Sequence, residues 1–397
     1  MTPQLWNVII EATIKAIIVV GVLLTGFAYT TYAERKVSAL LQSRIGPNRV
    51  GPWGLLQPAA DGVKLFFKEE LIPGGADKFI FVIAPILGVV PALIILAVVP
   101  WGPITPMTCC QFNVPYLNLT VGKYLFTVQH GFGLADLNVG MLYILSVASI
   151  AVYGVVLAGW SSNNKYAMLG GIRSSAQMVS YELALGLSVV GPLMIAGSMS
   201  MTDIINAQDK VWFIVYQPLA AIIFYLAALA EVNRAPFDMP EAEQELVAGY
   251  HTEYSGMKFA LFFMAEYIKM TGVSAIFATL FLGGWQGPFV EYVPVLGVVY
   301  FWLKVIASVI FMIWLRSTHP RLRYDRLMAF GWKVLLPLSL ANVMVTAGAM
   351  VFQSLISQAL LGWFVGGLIV VGLVIGFFVV RRLWSPPLAP RPLRVRT

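Results

Sequence analysis

Charge is the scarcest thing in this chain. Only 11% of its 397 residues are Asp, Glu, Lys or Arg, against about 25% in soluble domains. That shortfall excludes a disordered chain, a nucleic-acid-binding module and an ordinary water-soluble enzyme, all of which need a charged surface. Histidine is limited to His130, His251 and His319, which are scattered and form no metal-ligand pattern. The two cysteines, Cys109 and Cys110, are neighbours and would need two further ligands to hold zinc or a cluster. They read as inert thiols or as a vicinal pair facing an oxidising compartment. Glycine-rich dinucleotide loops, Walker loops, CxxC pairs and HExxH helices are absent as well. No metal and no redox cofactor is therefore expected on this chain itself.

What is abundant is apolar sequence, at 59% of residues with a mean hydropathy of +0.79. Predominantly apolar runs long enough to cross roughly 30 Å of hydrocarbon occur near residues 6–32, 79–99, 137–160, 174–196, 211–231, 257–282, 294–315, 333–353 and 357–380. They predict an all-α integral membrane protein, a bundle of about nine transmembrane helices. The expected organisation is a membrane core over 1–353 with four distinctive loops at 33–78, 161–173, 232–256 and 316–332. An additional C-terminal helix over 354–380 and a basic tail rich in Pro and Arg over 381–397 complete it. Most of the 26 lysines and arginines fall in those loops and in the tail. The positive-inside tendency then puts the N-terminus outside and the C-terminus in the cytoplasm, and the net charge of +7 is a topology signal. The N-terminus lacks a basic leader before an apolar run too long for a signal segment, so the first span is expected to be retained.

The first of these loops carries AERK (33–36) and SRIGPNRVGPWGLLQP (43–58). Its Gly and Pro density indicates a shaped turn. Beyond Pro58 the apolar Ala59, Val63, Phe66 and Phe67 take one helical face and Asp61, Lys64 and Lys68 another, the pattern of an amphipathic helix at a membrane surface. Two readings stand for it. One is a solvated loop whose basic residues hold lipid headgroups; the other is an apolar groove beside charged groups, into which a long amphiphile such as a quinone slides from the bilayer.

The loop at 232–256 concentrates acid. Glu231, Asp238, Glu241, Glu243, Glu245 and Glu253 lie close together, with Arg234 and His251 the basic residues near them in sequence. Asp238 followed by Pro240 and Glu241 resembles a capping box, beginning a short helix on which Glu241 and Glu245 share a face and Glu243 points away. Crowded carboxylates titrate as a coupled set, which a proton or charge relay requires; a hydrated acidic loop is the plainer alternative. Glu182 and Glu266 stand inside apolar spans, where an ionised group costs roughly 2.5 to 3.5 kcal/mol, so they are expected to face one another or water. Lys269 offers Glu266 a local partner at i+3, and Glu11 and Lys15 make a simple i, i+4 pair. No such neighbour is available to Glu182.

Four stretches in order, AERKVSALLQSRIGPNRVGPWGLLQPAADGVKLFFKE, SSAQMVSYELALGL, EVNRAPFDMPEAEQELVAGYHTEYSGMKFALFFMAEY and RLRYDRLMAFGWK, closely resemble one family. It is the H subunit of the proton-translocating NADH-quinone oxidoreductase of bacteria, respiratory complex I, whose mitochondrial counterpart is NADH dehydrogenase subunit 1. The resemblance runs from roughly residue 10 to 350. It implies a subunit of a translocase, sited at the joint between the redox arm and the proton-pumping arm. Quinone would be the substrate, with flavin mononucleotide (FMN) and the iron-sulfur clusters held by partner subunits. Implied partners are the subunits of the quinone pocket and terminal cluster, the small membrane subunits, the antiporter-like subunits and the lipid bilayer, with no nucleic acid.

Carried over by position, the resemblance places Glu34, Arg35, Arg44, Asp61 and Phe66 along the quinone passage, with Phe263 and Arg323 beside them. It places Glu182, Glu231, Asp238, Glu241, Glu243, Glu245, Glu253 and Glu266 on a proton or charge-transfer path, with Arg234 as their counter-charge. A family core of eight spans leaves the ninth helix here as an addition, and the loop near 100–136 also reads as extended. A proton-coupled secondary transporter would use membrane carboxylates too, but no internal repeat or pair of broken helices is visible. A prenyltransferase would need paired Asp-rich motifs that are missing. The homologous membrane subunit of energy-converting hydrogenases is the nearer alternative.

Overall fold

The computed structural model describes residues 3–103, 112–114, 119–121, 133–238, 247–290, 293 and 295–353. Among them seven helices are long and apolar enough to cross a membrane, and an eighth apolar helix is shorter. The chain is an all-α integral membrane bundle. The helices are α1 Pro3–Leu41, α2 Gln57–Phe66, α3 Lys78–Val98, α4 Gly140–Ser161, α5 Lys165–Ala196, α6 Met201–Asn206, α7 Phe213–Tyr216 and α8 Pro218–Glu231. They continue with α9 Gly256–Phe281, α10 Val295–Thr318, α11 Tyr324–Phe330 and α12 Leu336–Gln353. Two three-residue strands, Phe112–Val114 and Leu119–Val121, pair antiparallel in the loop after α3. The expected ninth span, the basic tail, Cys109 and Cys110 lie outside the described residues.

Three boundaries differ from those read off hydropathy. Helix α1 does not stop near residue 32 but runs on to Leu41, so AERK is helical rather than part of the loop. Charge ends an apolar run without ending a helix, and residues 33–41 contain only good or tolerable helix formers. Likewise α5 begins at Lys165, capped by the Asn164 side chain, which accepts from Tyr166 N. The loop expected over 161–173 is therefore reduced to a tight turn, and Arg173 sits on the helix.

The third difference is in the fifth span, which is broken. Pro218 disfavours helical geometry in the residue before it, and Gln217 takes φ −131°, ψ 50° between α7 and α8. The break is filled by polar side chains: Gln217 donates to Thr346 Oγ1 at 2.7 Å and accepts from Asn342 Nδ2 at 2.9 Å, both on α12. Backbone irregularity inside a bundle survives only with such partners.

Helices α3, α4, α5, α8 and α9 pack in succession around the core, with Leu96, Met141, Ile144, Tyr181, Phe224 and Phe281 fully buried. Helix α8 is buried on nearly every side, as expected of a helix apolar all round. Lys304 of α10, a charge inside an apolar span, is satisfied by the chain after α9: its Nζ donates to the carbonyls of Leu282, Gly284 and Gln286 at 2.6, 2.9 and 2.7 Å and lies 4.6 Å from the Trp212 ring. At the opposite end of the bundle the expected amphipathic helix forms as α2, with Pro58 in its first turn. The shaped turn before it needs Gly54, whose φ of +83° and close approach to the Pro47 carbonyl leave no room for a side chain.

Candidate functional site

Glu34 is the meeting point of four elements. It projects from the end of α1 and is ion-paired with Arg316 of α10. The Tyr267 hydroxyl of α9 donates to it at 2.7 Å, and Arg234, from the turn after α8, approaches at 3.5 Å. The same guanidinium reaches Glu266 of α9 at 3.4 Å and stacks 4.2 Å from the Tyr267 ring. Two arginines and two carboxylates thus alternate in the order Arg316, Glu34, Arg234, Glu266, each opposite charge within ion-pair distance of the next. Side chains of Arg234 and Glu34 are only 6% and 12% exposed, so the alternation is required: an uncompensated charge at such burial is strongly destabilising.

One amide reaches both ends of the turn that carries Arg234. Gln177 of α5 donates to the carbonyls of Ala230 and Phe237 at 2.8 and 2.7 Å, one at each end of the turn. At the far end of that turn Asp238, 3% exposed, accepts from Arg321 at 3.2 Å. Arg316, Arg321, Tyr267 and Gln177 are contributors that sequence reasoning missed. They lie far along the chain from their partners, and no local spacing signals them.

His251 corrects an expectation. Its place among the acids in sequence suggests a counter-charge, but it is buried among Tyr250, Phe259 and Phe263, with ring centroids at 5.0, 5.5 and 6.3 Å. Desolvation pushes its pKa down from 6.5 to about 4, so it is neutral at pH 7 and balances nothing. Because the unfolded segment binds the proton more readily, the contribution of His251 to stability is fully present above pH 6.5 and falls as the pH drops toward 4. The loss should approach about 3 kcal/mol, at 1.36 kcal/mol per pKa unit. The protection factors of the 249–254 amides, corrected for the intrinsic pH dependence of exchange, should fall as the pH drops across that window, and His251→Phe should flatten the dependence; an unchanged slope in the variant would assign it to other groups.

The remaining acids are spread along the bundle. Glu253 accepts from Asn164 Nδ2 at 2.6 Å beside the start of α5. Glu182, without a partner in the sequence, receives a hydrogen bond from Ser149 of α4. Glu231, at the end of α8, lines a cavity between α3, α4, α5, α8 and α9 together with Lys269. Glu266, for which Lys269 is the i+3 partner expected from sequence, is ion-paired with Arg234. Glu241, Glu243 and Glu245, with the capping box expected for them, lie outside the described residues; the side chain of Glu11, of the i, i+4 pair, does too.

The residues expected along the passage divide. Arg35 and Asp61 form a 2.6 Å ion pair that ties α1 to α2, and Gln57 also donates to Asp61. Phe66 is 67% exposed, edge-on to the exposed Phe67, while Arg44 is exposed in the turn after α1. Phe263 packs on Phe259 and His251. Arg323 pairs with Asp325 on the surface, and it is Arg316, earlier in the same stretch, that reaches the network. Among the described residues no group of three His, Cys, Asp or Glu could hold a metal.

The profile of the NADH dehydrogenase family matches residues 14–347. The chain belongs to this family. It is 51% identical over 346 residues to a Geobacter sulfurreducens protein, the first of that organism's H subunits of NADH-quinone oxidoreductase, covering 87% of this chain and 96% of that one. The second H subunit of Geobacter metallireducens is 52% identical, over 85% and 94% of the two chains. The H subunit of Thermomicrobium roseum is 46% identical, over 86% and 96%. The NADH dehydrogenase match takes in every member of the charge network and ends inside α12.

Proposed function

We propose that this chain is the membrane-embedded H subunit of a bacterial proton-translocating NADH-quinone oxidoreductase, seated where the redox arm meets the membrane arm. It borders the passage by which quinone reaches its reduction site and carries the acids that couple reduction to proton movement. Flavin mononucleotide, the iron-sulfur clusters and the pumping channels belong to partner subunits; this chain supplies residues toward the quinone and none of the redox groups. We take it to lie in the bacterial cytoplasmic membrane, and the excess of Lys and Arg in alternate loops supports an orientation with the N-terminus outside and the C-terminus in the cytoplasm. The names of its relatives support the assembly.

The observation that carries the reading is Glu34. It is adjacent to Arg35, whose ion pair with Asp61 holds the exposed amphipathic helix and its Phe66, and it is at the same time linked through Arg234 to Glu266. A change of charge beside α2 therefore acts on the buried acids without any moving segment between them. Reducing a quinone takes up two electrons and two protons, and that charge change would shift the proton occupancy of Glu34, Glu266, Glu231, Glu182, Asp238 and Glu253, with Glu241, Glu243 and Glu245 continuing the set. Arg44 would meet the quinone's path from the turn after α1, with Phe263 and Arg323 as outlying contributors. Carrying one charge against 100 mV costs about 2.3 kcal/mol, a size that proton shifts of a few pKa units supply at 1.36 kcal/mol each.

The test is carboxylate removal without volume change. Glu231→Gln, Glu241→Gln and Glu245→Gln in the intact complex should lower protons pumped per NADH oxidised, while NADH oxidation by an artificial acceptor stays at the parent rate. Pumping at the parent ratio in all three would overturn the coupling role. Loss of the assembled complex would mean that these acids build the joint instead.

A further inference from the structure

Residues 67–77, between α2 and α3, are a part of the first loop to which the functional reading gives no task, and they are fastened at both ends. Near its start the segment lies across the beginning of α9. The Ser255 hydroxyl, just before that helix, accepts from Leu71 N at 3.2 Å and donates to the Glu69 carbonyl at 3.0 Å. In the first turn of α9 the largely buried Lys258 pairs with the half-exposed Glu70 at 2.9 Å, its ammonium 5.9 Å from the Phe81 ring of α3. Gly256 stands between them and brings backbone close to backbone: its φ is +59°, and an added Cβ would come within 3.1 Å of the Lys68 carbonyl oxygen. At the other end of the segment Asp77 N donates to the Ser161 carbonyl of α4 at 3.1 Å.

These contacts join two parts of the site that the charge network does not. The segment begins one residue beyond Phe66 at the end of α2, and Ser255 follows Glu253 of the acidic loop by two positions. Asp61 ties α2 to α1; the Ser255 and Lys258 contacts tie the chain leaving α2 to α9. A partly exposed ion pair adds little to stability, so what these bonds chiefly fix is position. We propose that Ser255 and Lys258 are positioning residues for quinone entry: by latching Glu69, Glu70 and Leu71 to the start of α9, they set where Phe66 stands along the passage. This rests on the passage role proposed above for α2, and it makes the passage answer to the acidic loop. The latch acts through α2 and not on the reduction chemistry. Loosening it weakens the binding of quinone in ground state and transition state alike, which raises KM and leaves kcat.

Reversing the charge separates position from general damage, because it can be undone from the other side of the pair. Lys258→Glu, the swapped pair Lys258→Glu with Glu70→Lys, Ser255→Ala and Phe66→Ala would be made in the intact complex and assayed for NADH oxidation with decylubiquinone as acceptor. Lys258→Glu is expected to raise KM for decylubiquinone about fivefold with kcat within about twofold of the parent, and the swapped pair to return KM to within about twofold. Ser255→Ala, which removes both hydrogen bonds and adds no charge, should raise KM about threefold. A parent KM in assembled Lys258→Glu would overturn the proposal. So would a loss confined to kcat, and so would a raised KM that the swapped pair does not lower. Should Lys258→Glu fail to assemble, Ser255→Ala decides by the same KM. If Phe66→Ala raises KM and the latch variants do not, the latch alone falls; if none of them raises it, α2 does not border the passage and that part of the functional reading falls as well.

Discussion

Replacing Arg234 with methionine should destabilise the assembled protein by about 3–5 kcal/mol, the cost typical of leaving a buried ion unpaired. The guanidinium lies between Glu34 at 3.5 Å and Glu266 at 3.4 Å and covers the Tyr267 ring. When it is lost, Glu34 keeps Arg316 and the Tyr267 hydroxyl, so adding Glu34→Gln to Arg234→Met should recover little. Adding Glu266→Gln should recover more, because it removes the carboxylate whose charge the guanidinium offsets from α9. A double-mutant cycle on thermal inactivation in mild detergent isolates each pair. Arg234→Lys would serve poorly, since one ammonium does not span two carboxylates as the planar fork does. If Arg234→Met assembles and inactivates like the parent, the network is not what joins α1, α9 and α10.

The second large effect is expected at Gly170 on α5. A Cβ built there would stand 2.7 Å from Gly249 Cα and 2.8 Å from both Gly249 C and Tyr250 N. Backbone, unlike a flexible side-chain tip, does not yield to such an approach, so Gly170→Ala must push the 249–251 turn off the helix. Overpacking of this kind costs about 1–3 kcal/mol and occasionally more, and here the displaced turn leads through His251 to Glu253. Gly186 supplies the control on the same helix, because nothing lies within 4 Å of its added Cβ. Gly186→Ala should stay within about 0.5 kcal/mol of the parent. Equal melting shifts for the two substitutions would show that helix propensity, not the contact with the turn, governs α5.

Much of the bundle is legible in sequence because the bilayer imposes length and apolarity on each span separately. The amphipathic α2 is legible for a similar reason, its pattern and Pro58 being local. Errors gather where a helix leaves the membrane. Hydropathy marks where the hydrocarbon ends, whereas the helix ends where hydrogen bonding and caps end it, so α1 runs past the expected span to carry Glu34 and Arg35, and α5 starts early at the Asn164 cap. Pro218 in the fifth span marks a break in sequence terms, yet only the Gln217 contacts with Asn342 and Thr346 explain why the break is tolerated.

For the site, the residue types are readable and the pairings are not. The richness in acid of the 232–256 loop and the need of membrane carboxylates for partners follow from composition and desolvation cost. His251 looks like a cation by neighbourhood along the chain, and burial among aromatics makes it neutral. Arg316 meets Glu34 across 282 positions of sequence, a pairing that no local spacing signals.

The sequence by itself determined that this is a helical membrane protein, which family it resembles and which residues are too costly to be idle. Only the tertiary structure decided that Glu34 and Glu266 share Arg234, that Gln177 clasps both ends of the turn carrying it, and that Lys269 shares a cavity with Glu231. The physical reason is range. Propensity, capping and hydropathy act over a few neighbouring residues, whereas an ion pair or a cavity depends on which helices are brought side by side. Charges as far apart along the chain as Glu34 and Arg316 leave no mark on one another's local sequence.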